Sequence, residues 1–114
     1  MIKVGIDLVW NKRFEKFVGK KGFLERVFQQ SELKEKRKLA GKFALKEAVM
    51  KALGRKVDWH EIEIKSISGK PMIMISERIK PGGFKGIEGS VSHDGEYTIG
   101  IVIVEVKGKG KSGR

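Results

Sequence analysis

The sequence predicts an α+β fold in which a mainly antiparallel sheet packs against one long helix and several shorter helices. Three observations favour this class. The first residues alternate between aliphatic and polar or small side chains, as in a strand. The middle of the chain carries apolar residues at helical spacing, and the second half consists of short aliphatic runs separated by turn sequences.

The N-terminal segment predicts a half-buried strand whose aliphatic side chains share one face: Ile2, Val4, Ile6 and Leu8. Since successive side chains in a strand point to opposite faces, we expect Asp7 on the other face. Between residues 14 and 28, the apolar positions fit two short helical segments that are broken near Gly19 and Gly22.

A longer helix is expected from Ser31, which can cap its N-terminus, to Leu53. Gly54 follows it at a position suited to the left-handed backbone that ends many helices. The apolar stripe of this helix comprises Leu39, Phe43, Leu45, Ala48, Val49, Ala52 and Leu53.

The second half of the chain predicts strands. Aliphatic residues occur at positions 62–67, at 72–75 after a Gly69-Lys70-Pro71 turn, and at 97–106 after an Asp94-Gly95 hairpin turn. We expect a Gly-rich connection from Lys80 to Gly89. Residues 1–106 then form a single domain, and residues 107–114 form a flexible basic tail.

Composition excludes several classes of protein. The chain has 114 residues and no cysteine, which excludes a disulfide scaffold, thiolate metal sites and a cysteine nucleophile. We expect no membrane association and a cytoplasmic location, because the sequence has neither an apolar run of about 20 residues nor the pattern of a signal peptide. P-loop, Rossmann, zincin and hydrolase-elbow motifs are absent from the sequence.

The positive charge is concentrated in the N-terminal half. The formal net charge is +11, and residues 11–56 contain 15 basic and 5 acidic side chains. Such a field attracts an anionic partner, which could be nucleic acid, a phosphate-rich small molecule or an acidic protein. The charge alone does not choose among these.

Three acidic or basic positions and one histidine are candidates for chemistry. Glu47 and Lys51 lie four residues apart on one helix face, where a surface ion pair is the simplest interpretation. Asp7 interrupts an aliphatic strand, either to cap a turn or to act in a site. Two distant carboxylates can hold Mg²⁺ if phosphate oxygens and waters complete its coordination. His93, before the hairpin turn, is either a structural residue or part of a cleft.

Four segments resemble the holo-acyl-carrier-protein synthase family of 4′-phosphopantetheinyl transferases. They are Gly5-Ile6-Asp7-Leu8-Val9, the helical segment from Ala40 to Gly54 with its FxxKExxxKALG pattern, Gly69-Lys70-Pro71, and Val91-Ser92-His93-Asp94. The resemblance covers nearly the whole chain in order. It implies the 4′-phosphopantetheinyl transferase-like fold and, in fatty acid biosynthesis, transfer of phosphopantetheine from coenzyme A to a serine of apo-acyl carrier protein, leaving adenosine 3′,5′-bisphosphate.

The resemblance also implies roles for particular residues. Asp7 and Glu47 would be the Mg²⁺ ligands, and Lys51 would face the phosphates or assist deprotonation of the serine. The coenzyme A contacts would be Lys51, His93, Lys42 and Lys70. Arg13 would lie on the basic helix that docks acyl carrier protein, and the protein would be a homotrimer with sites between subunits.

Two other classes of function remain alternatives. The basic charge is also compatible with a small nucleic-acid-binding protein, although few aromatic residues accompany the basic side chains and no nucleic-acid-binding motif is present. An inactive trimeric scaffold is the third hypothesis. Binding of coenzyme A with and without Mg²⁺ separates all three.

Overall fold

The computed structural model of the chain describes residues 1–35, 38–67 and 69–108. Two 3₁₀ turns, Trp59–Glu61 and Glu77–Ile79, accompany the main elements. The helices and strands are β1 (Ile2–Trp10), α1 (Asn11–Val18), α2 (Phe23–Val27), α3 (Gln30–Leu33), α4 (Leu39–Leu53), β2 (Ile62–Ile67), β3 (Lys70–Ile75), β4 (Phe84–Asp94) and β5 (Tyr97–Val106). The predicted α+β class, with one long helix and several shorter ones, is confirmed.

Every strand pair in the described ranges is antiparallel. Strand β5 lies between β1 and β4 in a three-stranded sheet, whereas β2 and β3 form a separate hairpin. The register pairs Asp7 with Gly100 and His93 with Thr98. The predicted turn at Asp94-Gly95 joins β4 to β5, and its glycine has a φ of 59°. The sequence signals for β1 and for this hairpin are therefore confirmed.

Helix α4 packs directly on β1 and β5 along a glycine seam formed by Gly5 and Gly100. A Cβ atom on Gly5 would lie 1.9 Å from the carbonyl oxygen of Ala48, and one on Gly100 would lie 2.9 Å from the carbonyl carbon of Ala44. Only glycine allows two backbones to approach so closely. Because most residues of α4 are buried, the helix forms the centre of the core and not a surface layer.

We expect Gly5→Ala to lower the free energy of unfolding by about 1–3 kcal/mol, because the added methyl group overpacks the glycine seam. Denaturant unfolding at a fixed protein concentration measures this difference. Gly86→Ala is the matched control, since a Cβ there meets no atom within 4 Å. The control is expected to change stability by less than about 1 kcal/mol. Equal stabilities for the two variants would contradict close backbone packing at the glycine seam.

The aliphatic side chains of β1 share one face, as expected, but that face is exposed in the single chain. Ile6 is 55% exposed and Leu8 is 60% exposed. Asp7 lies on the opposite face, which packs on α4, so this part of the prediction is confirmed. We call the uncovered apolar surface the outer face; it consists of Ile2, Val4, Ile6, Leu8, Tyr97, Ile99, Ile101 and Ile103.

The single helix predicted for residues 31–53 is wrong in its first part, because α3 and α4 are separate helices. The N-terminus of α3 is capped by Gln29 in a capping box with Glu32. Ser31 lies inside α3, where its hydroxyl donates a 2.6 Å hydrogen bond to the carboxylate of Glu63. The predicted left-handed end at Gly54 is confirmed by its φ of 75°.

The predicted connection from Lys80 to Gly89 is also wrong, since β4 already begins at Phe84. Of the predicted basic tail, residues 109–114 lie outside the described residues. The two short helical segments near residues 14–28 are confirmed as α1 and α2. In the three described ranges, no helix is both long and apolar enough to cross a membrane.

A buried ion pair joins α3 to α4. Lys46 and Glu32 are both completely buried, with Nζ and Oε1 2.8 Å apart. The ammonium of Lys46 also donates to the carbonyl oxygens of Val27, at 2.8 Å, and Trp59, at 3.3 Å. The second carboxylate oxygen of Glu32 accepts the amide N–H of Ile64 at 2.7 Å. Burial lowers the pKa of Lys46, because desolvation disfavours the charged ammonium.

Candidate active site

Two carboxylates and a lysine meet where β1 crosses α4. The side chain of Asp7 is 14% exposed, and its Oδ1 accepts a hydrogen bond from Nζ of Lys51 at 3.2 Å. The same ammonium donates to the carbonyl oxygen of Ile6 at 3.0 Å. The ion pair of Lys51 is therefore formed with Asp7 on β1, and the surface pair with Glu47 expected from helix spacing alone is not what the structure shows. We call Asp7, Glu47 and Lys51 the carboxylate cluster.

The surroundings of Glu47 disfavour its charged form. Partial burial raises the pKa of Glu47, and the negative charge of Asp7 raises it further. Lys56 and Lys51 oppose this effect through their positive charges. Two carboxylates that repel each other, with their backbones fixed by the glycine seam, are suited to a divalent cation.

The donor set fits a Mg²⁺ ion whose coordination is completed by a substrate. Across the described parts of the chain, no three His, Cys, Asp or Glu residues form a metal-binding group. Mg²⁺ characteristically takes one or two protein carboxylates and fills its other positions with waters and phosphate oxygens. Asp7 and Glu47 are therefore the residues that could hold such an ion.

A cavity of about 400 Å³ lies on the side of α4 that faces β2, β3 and β4. Four lysines and a histidine are its basic side chains: Lys38, Lys42, Lys65, Lys70 and His93. Apolar surface comes from α4, β2 and β4. We call this space the basic cavity. Its size and its combination of apolar wall and positive charge suit a phosphate-bearing organic ligand.

Two of these groups are held by hydrogen bonds within the chain. Lys42 is 5% exposed, and its Nζ donates to the carbonyl oxygen of Glu32 at 2.9 Å. Nζ of Lys38 lies 3.2 Å from the hydroxyl of Ser66. The ammonium of Lys42 therefore contributes a fixed positive charge at the wall of the basic cavity.

The candidate residues predicted from the sequence fall into two groups. Lys42, Lys70 and His93 line the basic cavity, whereas no member of the carboxylate cluster is among the described residues lining it. Arg13 lies apart from both groups, exposed on α1. In the single chain, the candidate residues thus lie in two separate groups.

Several residues around these two groups were not predicted from the sequence. Lys38 and Lys65 also line the basic cavity, and only their proximity after folding reveals it. Thr98, which is 1% exposed, forms a hydrogen bond with His93. In the sequence, a lone hydroxyl residue in an aliphatic strand could have indicated this role. The buried ion pair of Lys46 with Glu32 could not be predicted, because both residues look like solvent-exposed helix positions in the sequence.

Paired carboxylates and a separate basic cavity in an α+β fold suit an enzyme that transfers a phosphate-containing group. The chain belongs to the 4′-phosphopantetheinyl transferase superfamily, whose model matches residues 3–102. It is 36% identical to a holo-[acyl-carrier-protein] synthase of Leptospira biflexa over 121 residues, covering 90% of this chain and 95% of that protein.

Solved structures of such synthases have the same fold. The Helicobacter pylori holo-[acyl-carrier-protein] synthase in complex with coenzyme A is 34% identical, with a TM-score of 0.79 over 90% of this chain and 99% of that one. The synthase of Bacillus anthracis in complex with CoA (3′,5′-ADP) is 28% identical, with a TM-score of 0.76 over 92% and 96% of the two chains. The expected family and fold are confirmed.

Proposed function

We propose that this protein is a holo-[acyl-carrier-protein] synthase, which transfers 4′-phosphopantetheine from coenzyme A to a serine of apo-acyl carrier protein. The observation that carries the proposal is the carboxylate cluster of Asp7, Glu47 and Lys51 on a fold whose relatives are synthases solved with coenzyme A. The basic cavity, with Lys42, Lys70 and His93 in its wall, is the candidate binding site for coenzyme A.

In the proposed reaction, the serine oxygen attacks the phosphorus that carries the pantetheine arm. The bond from this phosphorus to the bridging diphosphate oxygen breaks, and adenosine 3′,5′-bisphosphate leaves. Lys51 stabilises negative charge on the phosphate oxygens, as its ammonium is fixed by Asp7 and the Ile6 carbonyl. The serine proton passes either to water or to Lys51. Lys51 can accept it only as a neutral amine, so its roles as a positive charge and as a base are alternatives.

The proposal includes Mg²⁺ dependence, with Asp7 and Glu47 as the residues that would hold the ion. When bound, Mg²⁺ supplies positive charge that neutralises the diphosphate and its leaving oxygen. Support comes from the raised pKa of Glu47, because partial burial and the negative charge of Asp7 both disfavour its ionised form, and a divalent cation would offset this cost.

The direct test incubates the purified protein with coenzyme A, Mg²⁺ and apo-acyl carrier protein and measures the mass of the carrier. We expect a gain of one phosphopantetheine per carrier, and no gain when EDTA removes the metal. A carrier whose active serine is replaced by alanine is the control. Unchanged carrier mass in the complete reaction would refute the proposed function.

The proposed acidic partner is acyl carrier protein. We propose that it docks on α1 of this protein. Arg13 is exposed on this helix together with Lys12 and Lys16. These side chains lie in the segment 11–56, which holds most of the excess positive charge. A basic helix of this kind attracts an acidic protein over a distance and orients it on arrival.

We further propose that the protein is a homotrimer with its sites at subunit interfaces. The outer face supports this, because eight large apolar residues on β1 and β5 are uncovered in the single chain. The separation of the carboxylate cluster from the basic cavity also supports it. A neighbouring copy can bring its basic cavity next to the carboxylate cluster of the first copy.

Ile101→Lys is expected to convert the trimer to monomers, because it places a charge at the centre of the outer face, where Ile101 is 37% exposed. Light scattering after size exclusion measures the mass. We expect the affinity for coenzyme A to fall at least about tenfold in the same variant. Met74→Lys is the matched control, since Met74 is 40% exposed on β3 and lies off the outer face. A variant Ile101→Lys that remains trimeric contradicts the assignment.

A further inference from the structure

A chain of hydrogen bonds links the first residue of α1 to His93 through a buried hydroxyl. The hydroxyl of Thr98 donates to Oδ1 of Asn11 at 2.8 Å. Nδ1 of His93 lies 3.1 Å from the same hydroxyl oxygen. Thr98 is 1% exposed and pairs directly with His93 across β4 and β5. The three residues belong to α1, β4 and β5, and both hydrogen bonds involve the hydroxyl oxygen of Thr98.

The start of α1 is held firmly against the hairpin that carries His93. The backbone N–H of Asn11 donates to the carbonyl oxygen of Glu96 at 2.8 Å. The carboxylate of Glu96 also accepts a hydrogen bond from Nε1 of Trp10 at 3.3 Å and pairs with Lys12 at 3.5 Å. The amide oxygen of Asn11 is therefore presented to Thr98 by a backbone that is hydrogen-bonded to this hairpin.

Proton counting along this chain fixes the state of the histidine ring. A threonine hydroxyl has one proton, and Thr98 uses it on Asn11. The hydroxyl oxygen can therefore only accept from His93, so Nδ1 must carry a proton. A neutral imidazole has a single N–H, which leaves Nε2 with a lone pair. In the described part of the chain, Nε2 of His93 has no hydrogen-bond partner, and the ring lines the basic cavity.

We propose that Asn11 and Thr98 are positioning residues that hold His93 as the Nδ1–H tautomer, which leaves Nε2 to face the basic cavity. His93 then contacts a ligand in that cavity through Nε2. The ligand contact rests on the proposed function, because it specifies how coenzyme A is bound in the basic cavity. The tautomer itself does not depend on any activity.

The tautomer is tested by ¹⁵N NMR of the histidine ring in the full-length protein without ligand, at a pH where the ring is neutral. We expect the wild type to show a protonated Nδ1. Asn11→Ala should shift the ring toward Nε2–H, because the Thr98 hydroxyl loses its acceptor and donates to Nδ1 instead. This variant removes no buried atom from the sheet, so it remains informative if Thr98→Val does not fold.

Further variants separate positioning from a general structural role. Thr98→Ser keeps the hydroxyl and is expected to keep the Nδ1–H tautomer, whereas Thr98→Val is expected to lose it. A wild-type ring protonated at Nε2, or a tautomer that is unchanged in both Asn11→Ala and Thr98→Val, overturns the proposal.

Kinetics test the ligand contact. In Asn11→Ala, we expect KM for coenzyme A to rise about fivefold to tenfold, as for one lost hydrogen bond, with little change in kcat. A tautomer shift with unchanged KM would overturn the contact of His93 with coenzyme A and leave the positioning role intact. If the wild type shows Nδ1–H but transfers nothing to the carrier, the proposed function fails and the tautomer assignment stands.

Discussion

Glu47→Gln is expected to abolish phosphopantetheine transfer while raising the melting temperature by about 2–5 °C in the absence of divalent cations. Activity falls at least about 100-fold, because a neutral amide is a poor ligand for the ion that the carboxylate cluster would hold. Stability rises because the substitution removes a charge that partial burial and Asp7 both disfavour. Loss of activity without loss of folding is the signature of a site residue.

The pH dependence of this effect has a definite sign. The folded state raises the pKa of Glu47 above its ordinary value of 4.5, so the folded protein holds this proton more tightly than the unfolded chain. Stability is therefore lost as pH rises through the raised pKa. We expect the melting temperatures of wild type and Glu47→Gln to converge below pH 4.5 and to separate toward neutrality, as measured by calorimetry in EDTA.

Asp7→Asn provides the contrast within the same cluster. It should lose activity to a similar extent but gain less stability, because it also removes the partner of Lys51. Glu77→Gln, at an exposed carboxylate on the short turn after β3, is the neutral control. Full activity in both Asp7→Asn and Glu47→Gln would show that the carboxylate cluster is not the catalytic site.

Lys46→Met is expected to lower the free energy of unfolding by about 3–5 kcal/mol, because it leaves the carboxylate of Glu32 buried without its partner. Carbonyl oxygens of Val27 and Trp59 lose a donor at the same time. Denaturant unfolding of the protein at a fixed concentration measures the effect. The size of the loss is a large part of the stability of a typical domain.

Two further variants identify the origin of that loss. Adding Glu32→Met to Lys46→Met removes the unpaired charge but leaves the Ile64 amide without its acceptor, so we expect only partial recovery. Lys85→Met breaks an exposed pair with Glu105 and should cost less than about 1 kcal/mol. If Lys46→Met is no more destabilised than Lys85→Met, the buried pair does not anchor α3 to α4.

Much of the fold could be predicted because its signals are local. The alternation in β1, the Asp94-Gly95 turn and the end of α4 at Gly54 each depend on a few neighbouring residues. The carboxylate cluster could be predicted only in part. Helix spacing linked Glu47 to Lys51, but the contact of Lys51 with Asp7 depends on how β1 crosses α4.

The errors arose where long-range contacts decide the structure. The helical pattern from Ser31 onward suggested one helix, yet Glu32 on α3 contacts β2 and Lys46, and a separate helix begins at Leu39. Alternation also cannot say which face of a strand is covered, because the face of β1 that meets α4 carries Gly5 and Asp7, whereas the aliphatic face is exposed in the single chain. The start of β4 at Phe84 was hidden by glycines that are common in loops.

The glycine seam sets the distance between the two elements that carry Asp7 and Glu47. At Gly5 and Gly100 the spacing of helix and sheet is fixed by backbone contact, with no layer of side chains between them. We therefore expect a substitution in the aliphatic core to change the stability of the protein more than it changes the separation of Asp7 and Glu47. The seam acts as a spacer for the two carboxylates.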